Sequence, residues 1–334
     1  MKQIRNTNIE VLRLLLMMAI FCWHIVVHGY GFKDMGGFVK LSDEVGIILT
    51  SLLAPATYCF MFISGYYGLN FTIKKGITLE LWLIIISFIT WLFRSYFFDG
   101  FSIWGLLTVC FPVSTMKWWF ISNYMLIFLM SPILNKGIEN LRKNSFLFIV
   151  VVMGVIQTIS FLRLQSNGGS NFLGLLTIFL LGRYLGIYKI EIKKKTAIAL
   201  FFSCWLSLVG LMFISDLYFK KYLFVFLNYN TPMIMIMAVS LFYFVKGLKA
   251  HYSSMWNRML QPVLFIYLLT DGLYEPFYKW IVQVLEKDFV IGVLLYMIIL
   301  VACLLVGHVV IILVNYFLNK IEIRNIEKFV NRQN

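Results

Sequence analysis

Long runs of apolar residues, separated by short polar segments, make up most of this 334-residue chain. A helix that crosses the hydrocarbon core of a bilayer needs about 20 consecutive, mostly apolar residues. Runs of that length predict ten membrane spans and an all-α, polytopic transmembrane helical bundle. The predicted spans are residues 9–30, 45–70, 78–98, 118–134, 146–163, 171–188, 197–215, 222–246, 260–281 and 289–318.

Polar residues or short length modify this pattern in a few places. Asn228, Asn230 and Pro232 fall within the eighth run, which predicts a break or a re-entrant segment that lines a cavity. The segment 103–113 is apolar but too short to span, so we expect it to be interfacial or re-entrant. The run 11–27 is longer than the apolar core of a signal peptide, and no small-residue cleavage site follows it. We therefore expect it to be kept as the first span.

Composition excludes the soluble classes of protein. Hydrophobic residues make up 61% of the chain and charged residues 13%, whereas soluble domains carry about 25% charged residues. A soluble enzyme or DNA-binding domain is therefore excluded. The five cysteines lie in apolar stretches without a C-x-x-C pair, so we expect neither a disulfide framework nor a metal site.

The net charge of +14 comes from 29 basic and 15 acidic residues. With the N-terminus inside, and residues near the ends of spans counted with the adjoining segments, 18 basic residues are assigned to inner segments, 9 to outer ones, and Arg13 and Arg183 to spans. This bias predicts cytoplasmic termini. We attribute the basic excess to topology and to anionic lipid, and expect no nucleic-acid partner. The expected organisation is one membrane domain, residues 1–320, and a short cytoplasmic tail, residues 321–334, in a bacterial plasma membrane.

The first span contains two residues, Arg13 and His24, that are costly to place in hydrocarbon. Their separation of 11 residues is within about 20° of three full helical turns, or about 16 Å along the axis. One face of the helix therefore presents a cation near the cytoplasmic end and a titratable base deeper in the membrane. This suits a ligand that is anionic at one end and reactive at the other. Alternatively, Arg13 reaches the lipid headgroups and His24 satisfies a hydrogen bond in the core.

Other polar residues in the spans have both a structural and a functional interpretation. His28, one turn beyond the first histidine, shares its face or is an interfacial histidine. Ser64 and Gly65 end the second span and indicate close helix packing. Trp119 and Asn123 open the fourth span on the outer side, where they form either an aromatic belt or a platform for a sugar.

The ninth span contains two acids, Asp271 and Glu275, which need partners in a membrane. Arg94 and Lys117 on the outer side are candidate ion-pair partners, and a functional role is the alternative. The chain has no phosphate-binding loop and no H-E-x-x-H motif, and the lack of these motifs argues against an ATP-driven pump.

Several motifs occur in a characteristic order along the chain. They are R-x10-H from Arg13 to His24, F-I-S-G-Y at Phe62–Tyr66, W-W-F at Trp118–Phe120, M-S-P at Met130–Pro132, L-G-R-Y at Leu181–Tyr184 and I-Y-L-L-T-D at Ile266–Asp271. Over essentially its whole length the chain resembles the acyltransferase-3 family of integral membrane acyltransferases. It departs from that family at Thr270, where histidine is common, and at Lys74 and Lys75, which stand in place of arginines.

The resemblance implies transfer of an acyl group, usually acetyl, from cytoplasmic acyl-CoA to a glycan built at the membrane. Acetyl-CoA is then a co-substrate, with no permanently bound cofactor and no metal. We expect Arg13 and His24 to form the catalytic pair, with His24 as general base or transient acyl carrier. The residues expected to hold CoA are Arg13, Lys74, Lys75 and Ser64, and those expected to bind the acceptor are His28, Tyr66, Trp119, Asn123, Asp271 and Glu275. The lipid bilayer is a further expected partner, and a homo-oligomer is compatible with the sequence.

Two rival functions would use the same polar residues. A transporter or flippase for a lipid-linked sugar or acyl donor would move its ligand without transferring a group. A glycan polymerase would need outer basic residues to hold a lipid diphosphate, and the outer loops are short and nearly neutral. The sequence therefore predicts O-acyl transfer to a cell-surface polysaccharide or its lipid-linked precursor, with the transporter as the alternative.

Overall fold

The computed structural model describes residues 6–31, 38–161, 168–219 and 224–320. Over these residues the chain is helical and contains no β-strand, which confirms the all-α fold class. The expected cytoplasmic tail, residues 321–334, lies outside the described residues. The α-helices are α1 (Thr7–His24), α2 (Asp43–Leu53), α3 (Ala56–Tyr67), α4 (Ile73–Arg94), α5 (Ile103–Val109), α6 (Trp119–Glu139), α7 (Lys143–Phe161), α8 (Phe172–Ile187), α9 (Lys194–Phe219), α10 (Pro232–Lys246), α11 (Ser254–Met259), α12 (Leu264–Lys287) and α13 (Phe289–Lys320).

In the described part of the chain, six helical segments have the length and apolar composition needed to cross a membrane. They are Thr7–Gly29, Asp43–Tyr67, Ile73–Asp99, Lys194–Phe219, Val225–Lys246 and Phe289–Lys320. The other four predicted spans coincide with α6, α7, α8 and α12. The helices thus form a multi-pass bundle, and the total of ten spans stays a prediction.

The helices break at several of the residues expected to interrupt them. A short 3-10 turn at Phe224–Leu227 precedes α10, which begins at Pro232, so the predicted break in the eighth span is confirmed. The short apolar segment after α4 forms only the seven residues of α5. The second predicted span is divided at Ala54 and Pro55 into α2 and α3, since proline cannot donate the backbone hydrogen bond that a continuous helix requires.

Helices α3 and α8 pack with their backbones nearly in contact. A Cβ atom on Gly182 would lie 2.6 Å from the carbonyl oxygen of Phe62, and one on Gly65 would overlap the carbonyl of Phe179. The packing interpretation of the Ser-Gly pair at the end of α3 is therefore confirmed, because only glycine permits this approach.

Helix α1 lies against α3, α10 and α12, so much of its surface is buried. It begins after Asn6, whose side chain accepts a hydrogen bond from the backbone N–H of Asn8 at 3.1 Å. Further along, Phe21 is fully buried and stacks on Phe277 of α12 and Tyr296 of α13. This packing brings the last turn of α1 against α12, where the buried histidine lies.

Candidate active site

His24 is the last residue of α1 and only 7% exposed. Its Nδ1 atom lies 3.0 Å from the hydroxyl of Tyr278 and 3.6 Å from a carboxylate oxygen of Asp271, both on α12. Its Nε2 atom makes no hydrogen bond to any residue in the described ranges. One ring nitrogen is thus held by α12, and the other is available to a ligand.

A π-helical turn at Ile25–Gly29 follows His24 directly. It brings the ring of His28 to 5.4 Å from that of His24 and within 5.8 Å of the ring of Tyr278, centroid to centroid. The prediction that the two histidines share a face is therefore confirmed. The turn fits tightly, since a Cβ atom on Gly29 would lie 2.6 Å from Val282 of α12. Isolated π-turns of this kind are often found at functional sites.

Helix α12 is kinked beside the histidine. Tyr274 has a positive φ of 58° with ψ of −166°, and Pro276 follows two residues later. A non-glycine residue with positive φ is strained, and such strain persists where the surrounding structure imposes it. Asp271 before the kink and Tyr278 after it both approach Nδ1 of His24, although a regular helix would separate two residues seven apart by about 10 Å along its axis.

A cavity of about 510 Å³ lies at the end of the bundle where α1 and α4 begin. We call this the inner end, after the predicted topology, and the cavity the Arg13 cavity. Its polar lining comprises Arg13, Asn70, Lys75, Thr78 and Gln261. Its apolar lining includes Phe60, Trp82, Phe120, Tyr124 and Phe128.

Arg13 is held in this cavity with its charge only partly matched. One Nη atom lies 3.4 Å from Glu10, and the guanidinium carbon lies 4.8 Å from the centre of the Phe60 ring. The Nε atom is buried without a hydrogen-bond partner among the described residues. Lys75 is exposed and donates from Nζ to the carbonyl of Asn70 at 3.0 Å. The cavity therefore has unused donor capacity for an anion.

Arg183 of α8 also reaches this end of the bundle. A Cβ atom on Gly68 would lie 2.7 Å from its Nη1 atom, and Gly68, with a φ of 80°, lines the Arg13 cavity. Sequence reasoning did not place Arg183 in the site. The available signal was that Arg183 is a basic residue well inside a predicted span.

Aromatic rings separate the Arg13 cavity from the buried histidine. Phe120 lines the cavity, and its ring lies 6.1 Å from that of Tyr267. The ring of Tyr267 in turn lies 6.4 Å from that of His24. The rings of Phe120 and Tyr267, which we call the aromatic partition, thus lie between the wall of the Arg13 cavity and His24.

The structure does not bring the remaining candidates for binding CoA onto the cavity wall. Lys74 is exposed and does not line the Arg13 cavity. The hydroxyl of Ser64 donates to the backbone carbonyl of Phe60. Tyr66 is a candidate for the acceptor, but it lies at the inner end, where it packs on Phe242 with a ring distance of 4.6 Å.

The candidates for binding the acceptor on α6 lie near the histidine's end of the bundle. Trp119 packs on Tyr229 with a ring distance of 5.5 Å. The side-chain amide of Asn123 is buried and donates to the carbonyl of Trp119 at 2.7 Å. Both are therefore engaged within the protein, and neither touches His24 in the contacts described.

In the described structure, neither acid on α12 pairs with the candidate partners Arg94 and Lys117. Asp271 faces His24, whereas the side chain of Glu275 is 58% exposed and pairs with Lys279. Arg94 pairs with Asp99 in the turn after α4. Lys117 donates to oxygen atoms of α4 rather than to an acid. The kink at Tyr274 explains the difference, because residues four apart do not share a face across it.

A helical bundle with a cation-lined cavity at one end and a buried, oriented histidine beyond it defines a multi-pass membrane protein with a candidate active site inside the bundle. The model for the acyltransferase domain of the acyltransferase-3 family matches residues 6–313. The chain therefore belongs to the acyltransferase-3 family and is a membrane acyltransferase, which confirms the resemblance seen in the motifs. Neither the curated proteins nor the solved structures contain a significant match.

Proposed function

We propose that this protein transfers an acyl group, in the simplest case acetyl, from cytoplasmic acyl-CoA to a hydroxyl of a cell-surface polysaccharide or its lipid-linked precursor. The proposed location is the plasma membrane of a bacterium, with the Arg13 cavity open to the cytoplasm. The observation that carries the proposal is the placement of Arg13 and His24 on one helix, with Nδ1 of His24 held by α12.

The Arg13 cavity suits the phosphate groups of CoA. Its volume of about 510 Å³ lies within the usual range for small-molecule sites, about 300–1,000 Å³. Arg13 supplies an unused buried donor, and Lys75 and Arg183 add positive charge at the same end. Arginine is well matched to phosphate because its planar fork donates two parallel hydrogen bonds. The exposed Lys74 is left as a candidate for attracting the anionic donor to the cavity mouth.

The proposed chemical step uses the free nitrogen of His24. Nε2 accepts the proton of the acceptor hydroxyl while the hydroxyl oxygen attacks the thioester carbonyl carbon. The C–O ester bond forms, the C–S bond breaks, and the CoA thiolate takes the proton from the imidazolium. The alternative, in which Nε2 first carries the acyl group, uses the same atom and the same neighbours. In both cases Asp271 stabilises the transient positive charge of His24 from 3.6 Å.

The donor and the acceptor would meet at the aromatic partition. The acyl end of CoA would approach from the Arg13 cavity past Phe120 and Tyr267, and the acceptor would come from the opposite end of the bundle. His28, one turn beyond His24, lies on the acceptor side of the histidine. Trp119 and Asn123 are kept as candidates for positioning the sugar.

The test is acylation by purified protein in proteoliposomes. Radiolabelled acetyl-CoA is supplied together with surface glycan and lipid-linked glycan extracted from cells that lack the gene. We expect a base-labile label on the glycan and a mass increase of one acyl group. Label that reaches the vesicle lumen without ester formation would instead support a transporter.

A matched pair of variants assigns the role of the histidine. His24→Gln should abolish transfer but keep the melting temperature of the parent protein. His308→Gln serves as the control, because His308 belongs to α13 and contacts the carbonyl of Met259 instead of Tyr278. Full acylation by a folded His24→Gln protein would contradict the proposed role.

A further inference from the structure

A second cavity, of about 370 Å³, lies at the end of the bundle opposite to the Arg13 cavity. It is formed by the end of α4, the π-helical turn Ser95–Asp99, helix α5, the segment before α6, and Tyr274 of α12. We call it the Arg94 cavity. In the predicted topology it opens on the outer side, where an acceptor glycan would arrive.

The Arg94 cavity contains two basic side chains and one acid. Arg94 pairs with Asp99, and its guanidinium carbon lies 4.5 Å from the centre of the Tyr274 ring. The Nε atom of Arg94 is buried and makes no hydrogen bond within the described part of the chain. The site therefore keeps an excess of positive charge and an unused donor.

Lys117 supplies the second cation, from the segment between α5 and α6. Its Nζ donates to the carbonyl and hydroxyl of Ser87 at 3.1 and 3.0 Å and to the hydroxyl of Thr90 at 2.9 Å. These neutral oxygens fix its position without neutralising its charge. Burial, together with repulsion from Arg94, lowers the pKa of Lys117 to about 8. An anion bound nearby would relieve that repulsion.

The rest of the wall suits a sugar. Trp91 and Tyr274 present aromatic surface, and hydroxyl groups of the cavity wall come from Ser95, Ser102, Thr108 and Thr115. Gly105 lets the indole of Trp91 approach closely, because a Cβ atom there would lie 2.6 Å from its Nε1. Aromatic faces combined with small polar groups are common in ligand sites of modest size.

The Arg94 cavity adjoins the reactive centre through α12. Tyr274 in its wall follows Asp271 by three residues, and Asp271 contacts His24. Thr90, which holds Lys117, packs against the same turn, since a Cβ atom on Gly272 would lie 2.7 Å from its Cγ2. A glycan residue held in the cavity would therefore have a neighbouring part of the chain near the histidine.

We propose that the Arg94 cavity binds an anionic group of the acceptor, so that the acceptor is an acidic glycan bearing a carboxylate or a phosphate rather than a neutral one. This inference rests on the proposed function, because it names the class of acceptor for that reaction. Arg94 would donate to the anion, which would compete with Asp99 for its guanidinium. Lys117, held against α4, would add positive charge. The aromatic walls would contact the sugar ring that carries the anion.

Direct binding tests this inference without acyl-CoA. The probes are a uronic-acid oligosaccharide, the same oligosaccharide after carboxyl reduction, and a glycerol-phosphate oligomer, each titrated into full-length protein in nanodiscs. We expect at least one acidic probe to bind about tenfold or more tightly than the reduced one, as befits a charge-assisted hydrogen bond. The tighter acidic probe identifies carboxylate or phosphate. Equal binding of all three probes, or of none, would overturn the inference.

Two variants of the cavity are expected to change the affinity for the acidic probe in opposite directions. Arg94→Gln should lower the affinity for the preferred acidic probe about tenfold. Asp99→Asn removes the carboxylate that competes for Arg94 and should raise the affinity for the same probe. Lys279→Gln is the control, because Lys279 pairs with Glu275 and does not line the cavity. This variant should leave the affinity for the probe unchanged. Unchanged affinity in both cavity variants would refute the assignment. His24→Gln should still bind, which separates failure of this inference from failure of the acyl-transfer proposal.

Discussion

The Nδ1 atom of His24 lies 3.0 Å from the hydroxyl of Tyr278, a residue 254 positions later in the chain. A neutral imidazole has one donor and one acceptor nitrogen, and the partner of one nitrogen decides the state of the other. Asp271, at 3.6 Å from the same nitrogen, favours a proton on Nδ1. Asp271 thus favours the tautomer in which Nε2 is the base, and in that tautomer the hydroxyl of Tyr278 accepts from Nδ1.

Removal of the hydroxyl in Tyr278→Phe should slow acyl transfer while the protein stays folded. The bond to the charged imidazolium is worth about 1.5–3 kcal/mol, so we expect the rate constant to fall by about 10–100-fold. The KM for acyl-CoA should change little, because the tyrosine does not line the Arg13 cavity. Steady-state kinetics in proteoliposomes measures both quantities.

Tyr296→Phe is the matched control for that experiment. Tyr296 also contacts α1, where its hydroxyl donates to the carbonyl of Met18 at 2.9 Å, but it makes no hydrogen bond to His24 in the described structure. The variant loses a hydroxyl against the same helix and should keep its transfer rate. Equal losses in the two variants would show that the effect is structural and not specific to the histidine.

Asp271→Asn should be more damaging than loss of the tyrosine hydroxyl. An amide can donate to Nδ1, which favours the wrong tautomer, and it cannot balance the charge of an imidazolium. By analogy with carboxylates that orient a catalytic histidine, we expect a loss of about 10²–10⁴-fold in rate. The pH profile of the residual activity should also shift. Glu286→Gln changes an exposed acid of the same helix, paired with Lys40, and should retain activity.

Arg13 should act on binding of the donor more than on the chemical step. Arg13→Gln removes the partly buried guanidinium and should raise the KM for acyl-CoA by about tenfold or more. Arg13→Lys restores the charge without the planar fork and should recover only part of the lost affinity. Arg258→Gln changes an exposed cation of α11 that does not line the cavity and should have little effect. A loss confined to the rate constant, with KM unchanged, would contradict the assignment.

The helical period of the first span was enough to place Arg13 and His24 on one helix and to set His28 beside the catalytic candidate. It could not reveal Tyr278, because contacts between distant helices depend on packing that one sequence does not encode locally. The same limit applies to Arg183 of α8, which approaches Gly68 in the connection after α3. A basic residue within a predicted span was the available signal, and the sequence-based prediction assigned a role to Arg13 but not to Arg183.

The environments of the two acids of α12 could not be predicted without the kink between them. Asp271 and Glu275 are four residues apart, which in a regular helix puts both on one face. The non-helical Tyr274 lies between them, so one acid meets His24 and the other is exposed beside Lys279. Pro276 carried a signal for that kink, since proline disrupts the helix on its N-terminal side. The sequence-based prediction used Pro232 to place a helix break but did not use Pro276.

The last prediction concerns stability. Gly65→Ala places a methyl group against the carbonyl of Phe179, where the backbones of α3 and α8 nearly touch. Overpacking of this kind costs about 1–3 kcal/mol, so the melting temperature of the detergent-solubilised protein should fall. Because α3 carries Phe60 and leads into Gly68, a separation of the two helices should also weaken binding of acyl-CoA in the Arg13 cavity.

Gly210→Ala is the control for the same chemical change. Gly210 lies within α9, and a Cβ atom there would meet nothing within 4 Å. Alanine at an unstrained helical position stabilises by about 0.4–1 kcal/mol, so the melting temperature should stay the same or rise. A fall in both variants would mean that helix α3 is no more tightly packed at Gly65 than α9 is at Gly210. A lower melting temperature in Gly65→Ala alone would confirm that α3 and α8 are in close contact beside the inner end of the site.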